Sequence, residues 1–440
     1  MSRKVLISVL GTGNYSPCIY HKDKFQSSNT RFVQHAVIEH IGADRWSADD
    51  QIYILLTDRA RKSNWENKID KDTKKEINGF RQVLQSMHLP CGVESISICN
   101  GMDESEIWSI FQTLYQLIHE EDEVYLDLTH GFRYLPMLVL VFSNYAKFLK
   151  HISVKYMSYG NFEASTKTDM GIFAPLVDLV PLTQLQDWTF ASADFLKNGN
   201  AHFLNRLCQE TIGAMFRQKP DKELQNELKE MNHFGRALEE LTDVMRLCRG
   251  KMIQDSDKWE YLQKMAEQVK SSVIPPIAPL LAKIQNSFAS FIPHKDIRNG
   301  YHAFIWCYDH GLYQQAITIL LETMISQYAQ ILGLDWRVKE NRLLVSSVIN
   351  VQNPNRGIKG DHTETPDAYD TEEEDNARLL QLVEQLSADN FFQQTSAMYW
   401  ELTIYRNDIN HSGLLENASK SDKLISKIRN YTAFLKTIIE

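Results

Sequence analysis

Two short loops in the first third of the 440-residue chain carry glycines and polar residues directly after apolar, β-rich runs. The first, the glycine loop, follows residues 5–10 and reads Gly11-Thr12-Gly13-Asn14-Tyr15. Glycines let a ligand approach the backbone, the hydroxyl and amide can hydrogen-bond, and a tyrosine ring can stack on a nucleobase. This loop is therefore a candidate ligand-binding turn.

The second loop, the histidine loop (residues 129–133), follows the run 124–128 and reads Thr129-His130-Gly131-Phe132-Arg133. Thr129, the Gly131 turn and the start of the next helix are suited to an anion, and Arg133 can pair with a phosphate. Ligands of open parallel sheets bind beyond the carboxyl ends of the strands, so two such loops in one sheet favour a shared site. Neither loop has the GxGxxG or P-loop pattern, which disfavours ordinary dinucleotide or triphosphate binding.

A third polar set, Arg406, Asn407 and His411, lies near the C-terminus. Apolar residues at helical spacing precede it, and Gly413 can terminate that helix. Histidine can move protons near neutral pH, and arginine can stabilise charge on a phosphate. The set therefore suits metal-independent RNA cleavage, in which the ribose 2′-OH attacks the adjacent phosphate and leaves a 2′,3′-cyclic phosphate and a 5′-OH end. The alternative is that both cations simply cap the helix C-terminus.

The elements that must position these residues change along the chain. Residues 1–180 alternate β-rich runs with helical patterns, which predicts an α/β, Rossmann-like N-terminal domain with a parallel sheet. Residues 152–159 and 172–179 are expected to be closing strands or a hairpin on one edge of that sheet. The patterns then predict an all-α linker region over 181–295 and an all-α C-terminal helical bundle over 296–440, with a mobile acidic insertion at about 350–376.

The segment DLTHGFRYLPM closely resembles the hallmark of CRISPR-associated Rossmann-fold (CARF) sensor domains, and GTGNY resembles their loop after the first strand. This resemblance covers residues 1–180. It implies a homodimer that binds a cyclic oligoadenylate across its two-fold axis, and by resemblance we expect that ligand to be cyclic tetra-adenylate. The ligand-binding residues it implies are those of the two loops: Gly11, Thr12, Gly13, Asn14, Tyr15, Thr129, His130, Gly131 and Arg133.

The C-terminal pattern Arg406-Asn407-x-x-x-His411 resembles the active-site motif of HEPN ribonucleases, which commonly follow CARF domains of this branch. The resemblance implies catalytic roles for all three residues and nonspecific cleavage of single-stranded RNA in type III CRISPR antiviral defence. A similar run, residues 298–302, contains Gly300, which weakens a helix, and it is expected to be a turn before the first bundle helix. Two alternatives stay open: a ring nuclease that degrades its own ligand through Thr12 or Thr129, and a non-enzymatic regulator.

The net charge of −9 argues against tight binding of nucleic acid through a broad basic face. Residues 361–375 carry eight acidic side chains and no lysine or arginine, however, so the remaining chain is nearly neutral. No secretory signal or membrane-spanning run is evident, and we expect a cytoplasmic protein that does not associate with membranes. The six cysteines are scattered and no cluster has metal-ligand spacing, so neither a cofactor nor a metal is expected.

Overall fold

The computed structural model describes residues 2–69, 76–217, 219–268, 278–352, 373–414 and 418–439. They divide into two compact units, Met1–Gln186 and Asp187–Glu440. The first unit is a sheet flanked by helices and the second is helical, which confirms the predicted fold class. Most of the predicted acidic insertion lies outside the described residues.

The strands of the first unit are β1 (Lys4–Leu10), β2 (Ile19–Lys22), β3 (Phe25–Gln26), β4 (Gln51–Leu56), β5 (Lys68–Ile69), β6 (Glu76–Ile77), β7 (Gly92–Ser97), β8 (Glu123–Asp127), β9 (Ser153–Gly160), β10 (Thr166–Thr168) and β11 (Gly171–Asp178). Its helices are α1 (Val33–His40), α2 (Asp58–Ala60), α3 (Phe80–Ser86), α4 (Glu104–Leu117) and α5 (Leu135–Lys150). Helix α4 begins after Asp103, whose carboxylate caps it by accepting a hydrogen bond from the Glu106 amide at 2.9 Å.

The main sheet has the strand order β3-β2-β11-β9-β8-β1-β4-β7. β1 pairs in parallel with both β4 and β8, β4 with β7, and β8 with β9. The carboxyl ends of these five strands therefore meet at one edge. The chain runs outward from β1 to β7 and then returns to the other side of β1 as β8, so the strand order reverses between β1 and β8. Ligands of open α/β sheets bind at such a switch point.

The placement of the closing strands at the sheet edge was wrong. β9 and β11 pair antiparallel, but β11 also pairs in parallel with β2, and β3 lies beyond β2. The short β2 strand reads IYHK and has only one buried residue, Tyr20, so its sequence carries no clear strand period. Long-range pairing with β11 produces this strand.

The remaining helices are α6 (Val180–Asn198), α7 (His202–Phe216), α8 (Lys222–Arg246), α9 (Gly250–Gln254), α10 (Lys258–Gln268), α11 (Ala278–Asn286), α12 (Arg298–Asp309), α13 (Tyr313–Ile331), α14 (Lys339–Val351), α15 (Glu373–Ala388), α16 (Asn390–Asn410) and α17 (Ser421–Ile439). One apolar core runs through this second unit and includes residues from Trp188 to Leu435. Side chains of the predicted linker and of the predicted bundle thus pack together. The boundaries at 180 and 295 stay predictions.

The prediction of a turn at residues 298–302 was wrong, because α12 begins at Arg298. A Cβ atom on Gly300 would lie 2.1 Å from the Thr323 Oγ1 atom of α13. Glycine at this position therefore permits the close approach of α12 and α13, and that packing outweighs its low helix propensity.

Candidate functional site

The glycine loop and the histidine loop leave neighbouring strands at the switch point, and they touch. The Tyr15 ring stacks on the His130 imidazole with centroids 4.3 Å apart and an interplanar angle of 16°. A Cβ atom on Gly11 would lie 2.8 Å from the Tyr15 hydroxyl and 3.3 Å from the His130 Cβ. The absence of a side chain at Gly11 therefore allows the two predicted loops to form one surface.

Asn64 fixes the glycine loop from beneath. Its buried side-chain amide Nδ2 donates to the carbonyl oxygens of Gly11 and Gly13, at 2.9 Å each. In a trans peptide the N–H points opposite to the C=O, so the N–H groups of Thr12 and Asn14 are directed away from Asn64. Both of these residues are exposed. Exposed backbone donors close together in a turn can bind an anion.

Asn64 lies in a π-helical turn, Arg61–Trp65, that sequence analysis did not connect with the site. The turn follows Thr57, whose hydroxyl accepts the Ala60 amide at 3.2 Å and caps the short helix α2. No local motif reveals this role, because only the pairing of β1 with β4 brings the turn to the glycine loop.

Asp127, at the end of β8, is the buried centre of a polar network. Its carboxylate accepts from the Ser8 hydroxyl at 2.6 Å, the Thr129 hydroxyl at 2.6 Å and the Thr129 amide at 3.1 Å. The Thr129 hydroxyl also accepts from the Gly160 amide at 2.8 Å. Thr129, expected to bind ligand, thus uses its hydroxyl as both donor and acceptor within the fold. A polar Ser8 inside an apolar strand is the sequence signal for this network.

The remaining histidine-loop residues differ in exposure. Gly131, Phe132 and Arg133 are exposed, and Gly131 has a φ of 142°. Helix α5 begins only at Leu135, so Thr129 and Gly131 precede its first turn rather than lying on it. The cation on Arg133 is therefore free to face a bound anion from the loop itself.

Burial sets the charge state of the stacked pair. It lowers the pKa of His130, an effect that Asp127 and Glu163 partly oppose. Burial also raises the pKa of the Tyr15 hydroxyl. Both rings are therefore neutral near neutral pH, which suits a surface on which adenine rings pack.

The C-terminal polar set lies where the sequence predicted it, at the end of α16. Arg406 is half-buried, and its guanidinium lies 3.9 Å from a carboxylate oxygen of Glu322 on α13. The other oxygen of Glu322 accepts from Arg342 on α14 at 2.6 Å. Glu322 thus lies between two guanidinium groups. The Arg406 Nη2 also lies 3.4 Å from the Asn407 side-chain oxygen, within hydrogen-bonding distance.

His411 ends the helix. Its amide donates to the Asn407 carbonyl at 2.9 Å, whereas its side chain is exposed. Gly413, with a φ of 67°, terminates the helix as predicted, and its amide donates to the Asp408 carbonyl at 2.9 Å. The imidazole is thus accessible at the end of a helix whose other face is buried.

Among the described residues, no group of three or more histidine, cysteine, aspartate or glutamate side chains is placed to hold a metal ion. Over the same residues, the helices are too short or too polar to cross a bilayer.

Residues 5–163 match the family model described as CRISPR system endoribonuclease Csx1, CARF domain. Over 387 residues, or 79% of the chain, the sequence is 22% identical to CRISPR-associated protein MJ1674 of Methanocaldococcus jannaschii. The chain spans 57% of the length of that protein. The matched family range contains both loops of the switch point. Together, these similarities support a CRISPR-associated protein that contains a CARF domain within residues 5–163.

Proposed function

We propose that this chain is an endoribonuclease that a cyclic oligoadenylate activates and that cleaves single-stranded RNA without a metal, in the cytoplasm. The observation that carries this proposal is the joining of two CARF-like loops at the sheet switch point, in a chain that also presents an Arg-Asn-x-x-x-His set at a helix end.

The glycine loop and the histidine loop would bind the activator. Exposed backbone N–H groups of Thr12 and Asn14 and the Arg133 guanidinium match its phosphates, and the Tyr15 and His130 rings match its bases. A ring with several equivalent phosphates fits a two-fold symmetric site in which each subunit contributes the same loops. Cyclic tetra-adenylate is the activator we propose.

A homodimer is required for this arrangement, and α5 offers a surface for it. Four of the exposed apolar side chains on this helix lie at spacings of four, four and three residues, namely Met137, Val141, Tyr145 and Phe148. This spacing places them on one helix face, and such a contiguous apolar face is typical of a protein interface.

In the second unit, His411 would move protons and Arg406 would stabilise charge on the scissile phosphate. One imidazole cannot serve the attacking and the leaving oxygen at once, so two copies of the set, one from each subunit, would act together. Activator binding would raise the population of dimers in which the two sets meet.

The test is cleavage of a fluorogenic single-stranded RNA, with and without cyclic tri-, tetra- and hexa-adenylate and with a metal chelator present. We expect cleavage that depends on the ligand. The His411→Ala variant should be inactive, whereas the variant at the neighbouring residue, Asn410→Ala, should still cleave. Activity that needs no ligand, or that survives His411→Ala, would overturn the proposal.

A ring nuclease remains the second candidate, and only Thr12 presents an exposed hydroxyl for it, because the Thr129 hydroxyl is engaged with Asp127 and Gly160. Incubation with activator alone distinguishes this activity, since linear products that disappear in Thr12→Val would support it. A regulator without enzymatic activity would yield neither product.

A further inference from the structure

The second unit contains a cavity of about 530 Å³ that the proposed reaction does not use. It lies between residues 286–290, helix α12 and helix α17, and its polar lining includes His302, Asp309, His310 and Lys436. This volume is within the range of small-molecule sites. The cavity is therefore large enough for a nucleobase with its ribose.

Trp306 lines the same cavity and has an unused hydrogen-bond donor. The residue is 4% exposed, and no described residue accepts a hydrogen bond from its indole Nε1. A buried N–H without an acceptor carries a desolvation cost, so a ligand atom that accepts from it gains binding energy. The indole thus favours a ligand with acceptor atoms.

An aromatic pair forms one wall. The Trp306 and His310 rings are stacked with centroids 3.9 Å apart, and the Trp306 carbonyl lies 2.7 Å from the His310 Nδ1. Burial lowers the pKa of both His302 and His310, so these rings are neutral near neutral pH. Flat, neutral, polar-edged rings of this kind are what a nucleobase meets in RNA-binding sites.

Positive charge continues along α17. Lys436 is exposed, and within the described residues no carboxylate forms an ion pair with it. Arg429, seven residues earlier and on the same face of the helix, is exposed and donates to the Tyr308 hydroxyl of α12 at 3.2 Å. Two cations at this spacing can contact phosphates of a chain that follows the helix.

Contacts of Arg429 and of neutral side chains lead from this face toward the proposed catalytic end. Tyr308 is the penultimate residue of α12, and α13 starts at Tyr313. The Gln314 side chain in the first turn of α13 donates to the Asn410 side chain at 3.3 Å, and His411 follows directly.

We propose that this cavity binds one nucleotide of the single-stranded RNA substrate, with the base against Trp306 and His310 and the phosphate at Lys436. This inference rests on the proposed function, because it takes the strand that His411 cleaves as the source of the nucleotide. It assigns a substrate subsite to residues outside the Arg406, Asn407 and His411 set.

The experiment uses the full chain with His411→Ala, which prevents cleavage, and measures binding of a short fluorescein-labelled RNA by anisotropy with activator present. Trp306→Phe keeps the ring and removes the N–H, and it should weaken binding about 2- to 10-fold, the effect of one hydrogen bond. Lys436→Gln should weaken binding and reduce the salt slope by about 1. Lys423→Gln removes the same charge from an exposed position near the start of α17. It should change the RNA affinity less than twofold, which is less than the expected effect of losing about one phosphate contact.

Thermal unfolding of Trp306→Phe checks that any loss of binding is not a loss of fold, and Lys436→Gln provides the surface variant that cannot disturb the core. Equal binding by wild type, Trp306→Phe and Lys436→Gln would overturn the subsite. Binding of AMP or UMP that these substitutions weaken, with RNA binding unchanged, would overturn it too, since the source would then be a free nucleotide. If the wild-type chain cleaves RNA and the cavity variants bind RNA as well as their parent does, this inference alone is rejected. If the wild-type chain neither cleaves nor binds RNA, the proposed function is rejected as well.

Discussion

Tyr15 and His130 come from loops 115 residues apart in the chain, yet their rings stack with centroids 4.3 Å apart. The contact joins the end of β1 to the end of β8, so neither loop has an independent conformation. A ligand that displaces one ring would break its contact with the other. The stacked pair is therefore the most direct structural test of the proposed activator site.

Tyr15→Leu removes the stack and keeps an apolar side chain. An aromatic pair contributes about 0.5–1.5 kcal/mol, so affinity for cyclic tetra-adenylate should fall about 2- to 12-fold, measured by calorimetry. Phe25→Leu is the matched control. The Phe25 ring contacts the His40 ring with centroids 4.7 Å apart, in the same unit but outside the two loops. Equal affinity of Tyr15→Leu and wild type would remove Tyr15 from the site.

Protonation of His130 should destabilise the first unit. Burial lowers its pKa below that of the unfolded chain, about 6.5. The unfolded state therefore binds the proton more readily, and stability is lost as pH falls below that value. His35 and His40 act in the same direction, because burial lowers their pKa as well.

The comparison of wild type with His130→Gln isolates the contribution of this residue. When the pH falls from about 7.5 to 5.5, the free energy of unfolding measured by urea titration should decrease less for the variant than for wild type. Parallel pH profiles of the two proteins would show that His130 titrates alike in the folded and unfolded states.

Asp127→Asn should destabilise the first unit by about 1.5–3 kcal/mol, since it replaces an acceptor of three hydrogen bonds with a partly donating amide. Ser8→Ala removes only one of these bonds, so it should cost less. Urea titrations followed by circular dichroism give both values. An Asp127→Asn protein as stable as wild type would mean that the network contributes little.

Gly131→Ala and Gly171→Ala separate backbone strain from steric clash. Their φ angles are similar, at 142° and 133°. A Cβ on Gly131 would lie 2.8 Å from the Leu135 side chain, whereas a Cβ on Gly171 would have no heavy atom of a described residue within 4 Å. Each alanine should cost about 1–3 kcal/mol through strain, with a larger total at Gly131. Only Gly131→Ala should also impair activator binding. A larger stability loss at Gly171 would contradict this ranking.

Glu322→Gln should loosen Arg406, because the carboxylate then loses its charge. Glu322 is partly exposed, so the interaction is worth at most about 1 kcal/mol and RNA cleavage should slow up to about 5-fold in kcat with little change in KM. Glu340→Gln, an exposed change of the same kind on α14, is the control. A larger effect at Glu340 would exclude Glu322 as a positioning residue.

The sequence predicted the parts of the molecule that depend on local pattern. Strands β1, β8, β9 and β11 follow from β-rich runs, and the helix end at Gly413 follows from its glycine. Features that depend on distant pairing were missed: β2 is a strand because β11 pairs with it, and Gly300 is helical because Thr323 lies against it.

The candidate site shows the same division. Its two loops were found as motifs, whereas Asn64 was not, because only the folded sheet brings that side chain to the carbonyls of Gly11 and Gly13. Thr129 was identified from its position as a ligand-binding residue, but its hydroxyl hydrogen-bonds within the fold and supports the histidine loop. Sequence pattern identifies which residues gather at a strand end, and the fold decides which of them face inward.

The network of Ser8, Asp127, Thr129 and Gly160 has a mechanical consequence. Its hydrogen bonds connect β1, β8 and the end of β9, so three neighbouring strands are clamped at their carboxyl ends. A clamp of this kind makes the floor beneath the histidine loop stiff. If a cyclic ligand displaces the histidine loop, this part of the sheet cannot bend locally. We therefore expect the three strands to shift together as one rigid unit.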